Sequence, residues 1–386
     1  MTAAPRILYY VQHLLGVGHV FRTMRIVAAL MHCGFDVRVV YGGEKLPQFD
    51  GAGARVHFLP SLVSRQGDFS TLLARDGQPA DDAYKEERRD RLLAILSETA
   101  PDIVVTEAFP FGRRQMHFEL LPMMDAVRQL PKRPLVFSSI RDILQEGNKP
   151  AKDRQTVEFV RRYFDGVLVH GDPDLVRLDA TFPFTAEIAD RVCYTGIVTP
   201  PTSGAVSDSF DVVVSAGGGL LGRELVFAAA GARPRSALRD ARWCILTGPY
   251  LTQSDYDDLQ GIAGSVTLMR FLPDLHHTLA GATLSISLAG YNTVADIMVA
   301  GCRAIVAPQW NDKETEQLRR AQLLSRRGLV EMIGHAEKDS DTLVAAIDRV
   351  MVRPRPDWSA IRKDGAATTA RVLRRALDGD DLSAFR

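Results

Sequence analysis

Short β-rich apolar runs alternate with helix-like segments along nearly the whole chain, and this alternation is the strongest constraint on its fold. It favours parallel sheets covered by helices over β-sandwiches and helix bundles. The predicted strands are Ile7–Val11, Val37–Val40, Ile103–Thr106, Leu135–Ser138 and Val167–Val169, then Val212–Ser215, Trp243–Leu246, Val266–Met269, Leu284–Ser287 and Ala304–Ala307. Each of these two groups predicts one doubly wound α/β domain.

The length of the chain also indicates two domains, because 386 residues exceed what one ordinary core holds. Thr199–Ser209 is dominated by Pro, Ser, Thr and Gly and separates the two groups of strands. We expect a first domain over residues 1–198, a linker over 199–209 and a second domain that begins at residue 210. Ligands of such sheets bind beyond the carboxyl ends of the strands.

Composition excludes several classes of partner. Lys+Arg and Asp+Glu are equal at 47 each, so no overall field attracts nucleic acid or an anionic membrane. The four cysteines show no metal-ligand or redox spacing and are expected as free thiols: Cys33, Cys193, Cys244 and Cys302. No apolar run approaches the roughly 18 to 20 residues that cross a bilayer, and no signal-peptide layout begins the chain. We expect a cytoplasmic protein.

The segment Leu284–Pro308 combines a strand, a glycine turn, a short helix and a second strand. Gly290 is predicted to allow the tight turn, Thr293 and Asp296 to form a capping box, and Gly301 to end the helix. A helix start beside a strand end presents free N–H groups and a partial positive charge, which suits a diphosphate. Such turns also occur in α/β proteins without phosphate ligands, so both interpretations stay open.

Two other glycine loops follow predicted first strands. Gly16 and Gly18 precede a helix from about His19 to Met31, where the dipole lowers the pKa of His19 and favours a neutral imidazole that can accept a proton. The apolar face predicted for this helix consists of Val20, Met24, Val27 and Met31. His19 is equally compatible with a capping or packing role. Gly217, Gly218 and Gly219 predict either a phosphate nest or a close approach between domains.

Several motifs together resemble a known family, the two-domain glycosyltransferases of the GT-B fold. The resemblance is strongest to the family 28 branch, which contains the lipid II-forming N-acetylglucosaminyltransferase of peptidoglycan synthesis. The motifs are Gly16-x-Gly18-His19, Phe271-Leu272-Pro273-Asp274, Ala289-Gly290-Tyr291-Asn292-Thr293-Val294-Ala295-Asp296, and the later Gly301, Pro308, Glu316-Gln317 and Ala321. Their order along the chain makes the set far more specific than any one of them.

The resemblance implies two Rossmann-like domains that face each other across a cleft. The second would extend over residues 210–365, and a final helix over 366–386 would pack back on the first. It also implies inverting transfer of a sugar from a nucleotide sugar, most often a UDP-sugar, to an acceptor hydroxyl. No cofactor beyond this co-substrate is expected. The absence of an Asp-x-Asp signature at a predicted strand end agrees with a reaction that needs no metal.

The resemblance also implies a donor site in the second domain. Its expected residues are Gly217 and Gly218, Phe271 and Leu272 at the uracil edge, Gly290, Asn292 and Thr293 around the diphosphate, Asp296 at the ribose, and Glu316 and Gln317 at the sugar. Asp296 is shorter than the usual Glu of the family and has a competing role in helix capping. Glu316 and Gln317 are alternatively a solvated helix face beside Arg319 and Arg320.

In the first domain the resemblance implies His19 as general base and Glu107 as the acid that orients it. The expected acceptor-binding residues are Gly16, Gly18, Arg113 and Arg141. Further candidates at strand ends are Ser139, Asp142, His170, Gly171 and Asp172, and each of them alternatively only closes its strand.

Three other functions stay open. Gly18-His19-Val20-x-Arg22 also resembles the bacterial UDP-sugar hydrolases of nonulosonate synthesis, and the UDP-sugar 2-epimerases share the same architecture. A non-catalytic nucleotide-sugar binding protein is the third. The basic tail, with Arg371, Arg374 and Arg375, leaves peripheral attachment to the inner face of the membrane as an alternative to packing.

Overall fold

The computed structural model describes residues 4–14, 18–46, 49–65, 68–145, 150–202, 204–207, 209–217, 222–249, 251–272, 274–309, 315–334 and 338–386. The chain divides into two compact units. The first comprises Met1–Leu144, Asn148–Val198 and Asp364–Arg386, and the second comprises Gln145–Gly147 and Thr199–Lys363.

The first unit is built on a seven-stranded parallel sheet with helices on its faces. Its strands are β1 (Arg6–Val11), β2 (Asp36–Tyr41), β3 (Arg55–Phe58), β6 (Ile103–Glu107), β7 (Leu135–Arg141), β8 (Gly166–His170) and β9 (Val192–Tyr194), with a separate hairpin of β4 (Val63–Arg65) and β5 (Asp68–Leu73). Its helices are α1 (Gly18–His32), α2 (Asp82–Thr99), α3 (His117–Gln129), α4 (Pro150–Tyr163) and α11 (Gly365–Asp378). The strand order is β3-β2-β1-β6-β7-β8-β9.

The second unit is built on a six-stranded parallel sheet in the order β12-β11-β10-β13-β14-β15. Its strands are β10 (Val212–Ser215), β11 (Trp243–Leu246), β12 (Thr267–Met269), β13 (Leu284–Ser287), β14 (Arg303–Val306) and β15 (Glu331–Met332). Its helices are α5 (Arg223–Ala232), α6 (Gln253–Ala263), α7 (Leu275–Gly281), α8 (Tyr291–Ala300), α9 (Glu316–Arg326) and α10 (Ser340–Met351).

Both sheets reverse their strand order once, and the two reversals position the candidate sites. The first lies between β1 and β6, and the second lies between β10 and β13. Helices leave in opposite directions at such a switch point, so a crevice opens beyond the strand ends. The predicted α/β class with two doubly wound sheets is confirmed.

The buried face of α1 differs from the predicted one. Val20 and Val27 are buried as expected, but Met24 and Met31 are only half-buried. The other buried residues of the helix are Arg22, Thr23, Ile26 and Leu30. The predicted face is wrong because a hydrophobic pattern counts arginine as solvent-facing, whereas Arg22 has an acidic partner inside the unit.

Helix α11 packs against α1 within the first unit. The Arg374 Nη2 donates to the Cys33 carbonyl at 3.2 Å, and its guanidinium carbon lies 4.2 Å from the centroid of the Phe35 ring. An antiparallel bridge between Val198 and Asp364 joins the last two segments of this unit. The chain therefore returns to the first unit at Asp364, two residues before the predicted start of the last helix at residue 366.

The predicted linker belongs to the second unit instead of standing between the two. One contact that holds it there is the hydrogen bond from the Ser207 amide to the His277 carbonyl, at 3.1 Å. A composition rich in Pro, Ser and Gly indicates irregular backbone, but it does not say which domain that backbone packs on.

A fully buried ion pair lies inside the first unit. The Arg88 Nε donates to Glu119 Oε2 at 2.6 Å, and its Nη2 donates to Oε1 at 3.0 Å. The Tyr10 hydroxyl donates to the same carboxylate at 2.5 Å, and Arg88 Nη1 donates to the Gly42 carbonyl at 2.8 Å. These bonds tie α2 and α3 to β1 and to the end of β2. Because both side chains are fully buried, the loss of one partner leaves a buried charge without compensation.

Replacing Glu119 with Gln should destabilise the first unit by about 3–5 kcal/mol, because the Arg88 charge stays buried without its counterion. Hydrogen exchange of the β1 backbone amides measures the effect. The matched control is Asp82→Asn, which breaks the exposed pair with Lys85 and should cost less than about 1 kcal/mol. Equal exchange in both variants would contradict the prediction. Fluorescence of Trp243 and Trp358, both in the second unit, should report unchanged unfolding of that unit.

Candidate functional site

The structure brings the two predicted catalytic residues together at the switch point of the first unit. His19 lies in the first turn of α1, and Glu107 is the last residue of β6. The His19 Nδ1 is 2.9 Å from Glu107 Oε1, and the imidazole is 20% exposed while the carboxylate is fully buried. A carboxylate can only accept hydrogen bonds, so Nδ1 carries the proton and Nε2 carries the lone pair. The ring is therefore oriented as a base.

Both oxygens of Glu107 are engaged by donors. Arg22 Nη2 donates to Oε1, the oxygen that also accepts from His19. The Ser139 hydroxyl donates to Oε2 at 2.8 Å. Burial by itself would raise the pKa of Glu107, but the charge of Arg22 and the hydrogen bond from His19 bring this pKa down to about 2. The carboxylate is ionised throughout the physiological range.

A second buried histidine extends this network. Ser139 Oγ lies 2.9 Å from His170 Nε2 and accepts from the Tyr9 hydroxyl at 2.9 Å. Because the one hydroxyl hydrogen of Ser139 goes to Glu107, His170 Nε2 must donate to Ser139. His170 Nδ1 then accepts from the Thr195 hydroxyl, 2.8 Å away. Each hydrogen bond in the series from Thr195 through His170 and Ser139 is thus donated in the direction of the Glu107 carboxylate.

Both histidines of the network are neutral at physiological pH. Burial lowers the pKa of His19 to about 4, and the charges of Arg113 and Arg22 act in the same direction against the opposing bond to Glu107. Burial and the charge of Arg22 lower the pKa of His170 to about 3. Neutral His19 can accept a proton, whereas fully buried His170 serves to hold the hydrogen bonds in place.

Three of the four predicted acceptor residues lie in the described part of the chain. Gly18 is the first residue of α1, and Arg141 ends β7. Arg113 has a φ of 61° and donates from Nε to the Gln12 carbonyl at 2.8 Å, so it also joins the segments that follow β1 and β6. Gly16 lies outside the described residues.

Other acceptor candidates close strand ends instead. Ser139, His170, Asp142 and Asp172 are each at most 1% exposed, which leaves little of them to contact an acceptor. Arg22, Tyr9 and Thr195 complete the network and were not predicted from sequence. Two signals pointed to Arg22: its place in the motif Gly18-His19-Val20-x-Arg22, and its position three residues after His19, which puts both on the same side of a helix.

The second switch point holds the amino terminus of α8. Gly290 precedes the helix with a φ of −65°, which any residue adopts, so the prediction that the turn requires a glycine is wrong. A Cβ built on Gly290 would meet no atom of the described chain within 4 Å. Glycine here leaves open space in front of the helix, and a ligand can approach the backbone there.

The predicted capping box is also wrong. Helix α8 begins at Tyr291 with no side-chain cap, so Thr293 is its third residue and Asp296 lies in the second turn, only 8% exposed. The first amide bonded within the helix is that of Val294, which donates to the Gly290 carbonyl at 3.0 Å. The first three amides of a helix have no acceptor within the helix, which is why a helix start suits an anion.

The first turn of α9 supports the loop before Gly290. The Gln317 Oε1 accepts from the amides of Ala289 and Gln309, both at 3.2 Å. Arg320 donates from Nη1 to the Ala289 carbonyl at 3.0 Å and from Nη2 to Glu316 Oε1 at 2.6 Å. Arg320 is 2% exposed, and the Glu316 side chain is 14% exposed. The alternative of a solvated face is therefore wrong for both, because Arg320 is packed under the loop.

The other predicted donor residues lie along the same edge of the sheet. Gly217 follows β10 with a φ of 73°, and a Cβ on Gly248 would come within 2.7 Å of its carbonyl oxygen. Glycine thus allows two loops of one unit to touch. Phe271, beyond β12, is 45% exposed. Three strand spacings, about 14 Å, separate β12 from β13, comparable to the length of an extended nucleoside diphosphate. Gly218 lies outside the described residues.

The segment that contains this second site is similar to a domain of a known protein family. Residues 212–370 match the glycosyltransferase family 28 C-terminal domain. A UDP-N-acetylglucosamine–N-acetylmuramyl-(pentapeptide) pyrophosphoryl-undecaprenol N-acetylglucosamine transferase from Tolumonas auensis is 33% identical over 91 residues, 24% of this chain and 26% of the relative. The matched part thus spans about a quarter of that relative.

Solved structures resemble nearly the whole chain. The calicheamicin glycosyltransferase CalG4 aligns with 97% of each chain at a TM-score of 0.60 and 16% identity. Glycosyltransferase VinC in complex with dTDP aligns with 98% of this chain and 97% of its own, at 0.60 and 13%. MurG of Acinetobacter baumannii aligns with 97% of this chain and 98% of its own, at 0.57 and 15%. At these identities the likeness establishes the GT-B fold.

The described residues contain no group of three or more His, Cys, Asp or Glu side chains placed to hold a metal ion. No helix among them is both long and apolar enough to span a membrane.

Acid should destabilise the first unit through His170. Its pKa of about 3 in the folded state lies below the unfolded value of 6.5, so the unfolded chain binds more protons and stability falls as the pH drops below 6.5. At pH 5 this contribution amounts to about 2 kcal/mol. His170→Gln should make the decline of melting temperature between pH 7 and pH 5 shallower, as measured by calorimetry. An unchanged slope would contradict the prediction.

Proposed function

We propose that this chain, which carries the glycosyltransferase family 28 C-terminal domain over residues 212–370, transfers a sugar from a nucleotide sugar to an acceptor hydroxyl. The observation that carries the proposal is the start of α8 within that domain. The helix begins at a switch point of the sheet, and a Cβ on Gly290 would meet open space, so a diphosphate can approach the backbone at the helix start. A UDP-sugar is the donor that we expect, in line with the donor named for the Tolumonas relative.

The second unit would bind the leaving diphosphate. Negative charge develops on the diphosphate oxygen as its bond to the anomeric carbon breaks. Fixed N–H dipoles at a helix start stabilise this charge without reorganisation, which is the role a divalent cation has in other transferases. We therefore expect no dependence on a metal. We expect the base to contact the exposed ring of Phe271 and the neighbouring Leu272.

The first unit would supply the base. The acceptor oxygen attacks the anomeric carbon, the bond to the diphosphate breaks, and the hydroxyl proton passes to His19 Nε2. Glu107, ionised and bonded to Nδ1, stabilises the imidazolium that forms. A single displacement of this kind inverts the anomeric configuration.

His19→Ala should lose at least about a thousandfold in turnover while UDP binding stays near the wild-type value, because the base acts on the acceptor proton only. Release of UDP in the presence of acceptor measures turnover, and calorimetry measures binding. Lost UDP affinity with unchanged turnover would contradict the assigned role. The same assay with EDTA should show unchanged turnover, and without acceptor it should show negligible release of UDP. Rapid release without acceptor would indicate a hydrolase, and a changed UDP-sugar would indicate an epimerase.

Gly290→Ala should weaken UDP binding at least about tenfold and leave the melting temperature unchanged, since its φ is ordinary and its Cβ would occupy only the space in front of the helix. Gly301→Ala is the matched control at the other end of α8. Gly301 has a φ of 64°, so alanine there should cost about 1 kcal/mol in stability and leave UDP affinity unchanged. Equal UDP affinity of the two variants would contradict the assignment.

Peripheral membrane attachment stays a prediction. The arginines of α11 already have partners: Arg371 pairs with Asp364 at 2.6 Å, and Arg374 contacts Phe35. Flotation with anionic vesicles at low salt tests whether the chain binds a membrane.

A further inference from the structure

We propose that Arg22 is a positioning residue that keeps the base neutral: its guanidinium shares the Glu107 carboxylate with His19 and opposes protonation of the imidazole. The inference rests on the proposed function for its effect on catalysis. Its effect on His19 is independent of any substrate. In this arrangement the histidine–carboxylate pair has a third, cationic member.

The geometry makes Arg22 a partner of both groups. Arg22 lies three residues after His19 on α1, so the two side chains leave the same face of the helix. Its Nη2 donates to Glu107 Oε1 and lies 3.3 Å from His19 Nδ1. Two N–H donors thus converge on one carboxylate oxygen. The Arg22 side chain is only 3% exposed, so solvent screens this contact weakly.

Arg22 reverses the usual effect of such a pair. A buried carboxylate alone would stabilise the imidazolium and raise the pKa of its histidine. Here burial lowers the pKa of His19 most, and the charges of Arg113 and Arg22 act in the same direction. Together they outweigh the hydrogen bond and the charge of Glu107, and the pKa of His19 falls to about 4. Arg22 also keeps Glu107 ionised, so that the oxygen stays a pure acceptor and the proton of His19 stays on Nδ1.

The charged groups around His19 come from three elements. Glu107 ends β6, Arg22 lies on α1 itself, and Arg113 follows β6. From α11, which packs on α1, Arg374 contacts Cys33 and Phe35, beyond the opposite end of that helix. From β7 and β8, Ser139 and His170 contact Glu107 and its network. Arg22 is the cation that donates to Glu107 and whose Nη2 also lies 3.3 Å from His19 Nδ1.

The arrangement has a chemical consequence for the cycle. A base of low pKa is fully available over the whole neutral and mildly acidic range, at the cost of a weaker pull on the acceptor proton. The imidazolium formed during transfer lies beside a guanidinium and is more acidic than an ordinary imidazolium, so it returns its proton to solvent readily. Arg22 thus keeps His19 neutral between turnovers and speeds the loss of its proton to solvent, while it makes His19 a weaker base.

Titration of His19 by NMR of ¹³C-histidine-labelled protein, with His19→Asn to assign its signal, tests the proposal without substrate. Arg22→Met should raise the pKa of His19 by at least one unit, and Arg22→Lys should keep it near the wild-type value. Arg25→Met removes the same charge from the same helix, where Arg25 contacts the Val198 carbonyl instead, and should leave the pKa of His19 unchanged. Arg22→Gln, which can still donate to Glu107, should shift the pKa like Arg22→Met if the latter does not fold.

The pH profile of turnover supplies the catalytic readout. The acid limb of kcat should move to higher pH by the same amount in Arg22→Met, and a shift of one unit from about 4 makes the loss about twofold greater at pH 5 than at pH 8. A uniform loss at every pH with an unchanged pKa of His19 would overturn the proposal and leave Arg22 a purely structural role. A shifted pKa in a protein without transferase activity would instead overturn the proposed function and uphold the inference.

Discussion

Parallel strand pairing is the constraint on which the rest of the structure depends. In a parallel sheet all carboxyl ends lie at one edge, and where the strand order reverses the flanking helices leave in opposite directions. Both units of this chain have that reversal, between β1 and β6 and between β10 and β13. The buried network of Glu107 occupies the first edge and the start of α8 the second. Topology thus decides where chemistry can occur before any side chain is chosen.

The two edges differ in their electrostatics: the first contains a buried negative charge, and the second contains a helix start with N–H donors. In the first unit the ionised Glu107 is taken out of water and must be satisfied by side chains, which Arg22, His19 and Ser139 do. In the second unit the start of α8 carries an excess of donors without intrahelical acceptors, and the chain supplies no side-chain cap. The first edge satisfies its buried charge from within the unit, whereas the second presents a helix start without a side-chain cap. This difference agrees with the proposed roles, which are proton transfer at the first edge and diphosphate binding at the second.

The sequence predicted what depends on local periodicity and missed what depends on long-range partners. Strands such as Val212–Ser215 and Leu284–Ser287 were predicted with the bounds that the structure shows, because each is a buried apolar run. Short edge strands such as β3 and β15 lack such a run and were not predicted. The pairing of His19 with Glu107 followed from a family resemblance. The burial of Arg22 could not be predicted from the sequence, because a charged side chain on a helix is buried only when a residue far away in sequence, here Glu107, compensates its charge.

The return of α11 to the first unit has a consequence for biosynthesis. A ribosome makes α1 early, but the helix that covers it emerges only after the whole second unit, at least about ten seconds later. During that interval the surface of α1 around Phe35 lacks its final cover, while the second unit, continuous over Thr199–Lys363, can already fold. The first unit is therefore translated first but completed last. A nascent chain that stops before Asp364 would contain a complete second unit and a first unit that lacks α11.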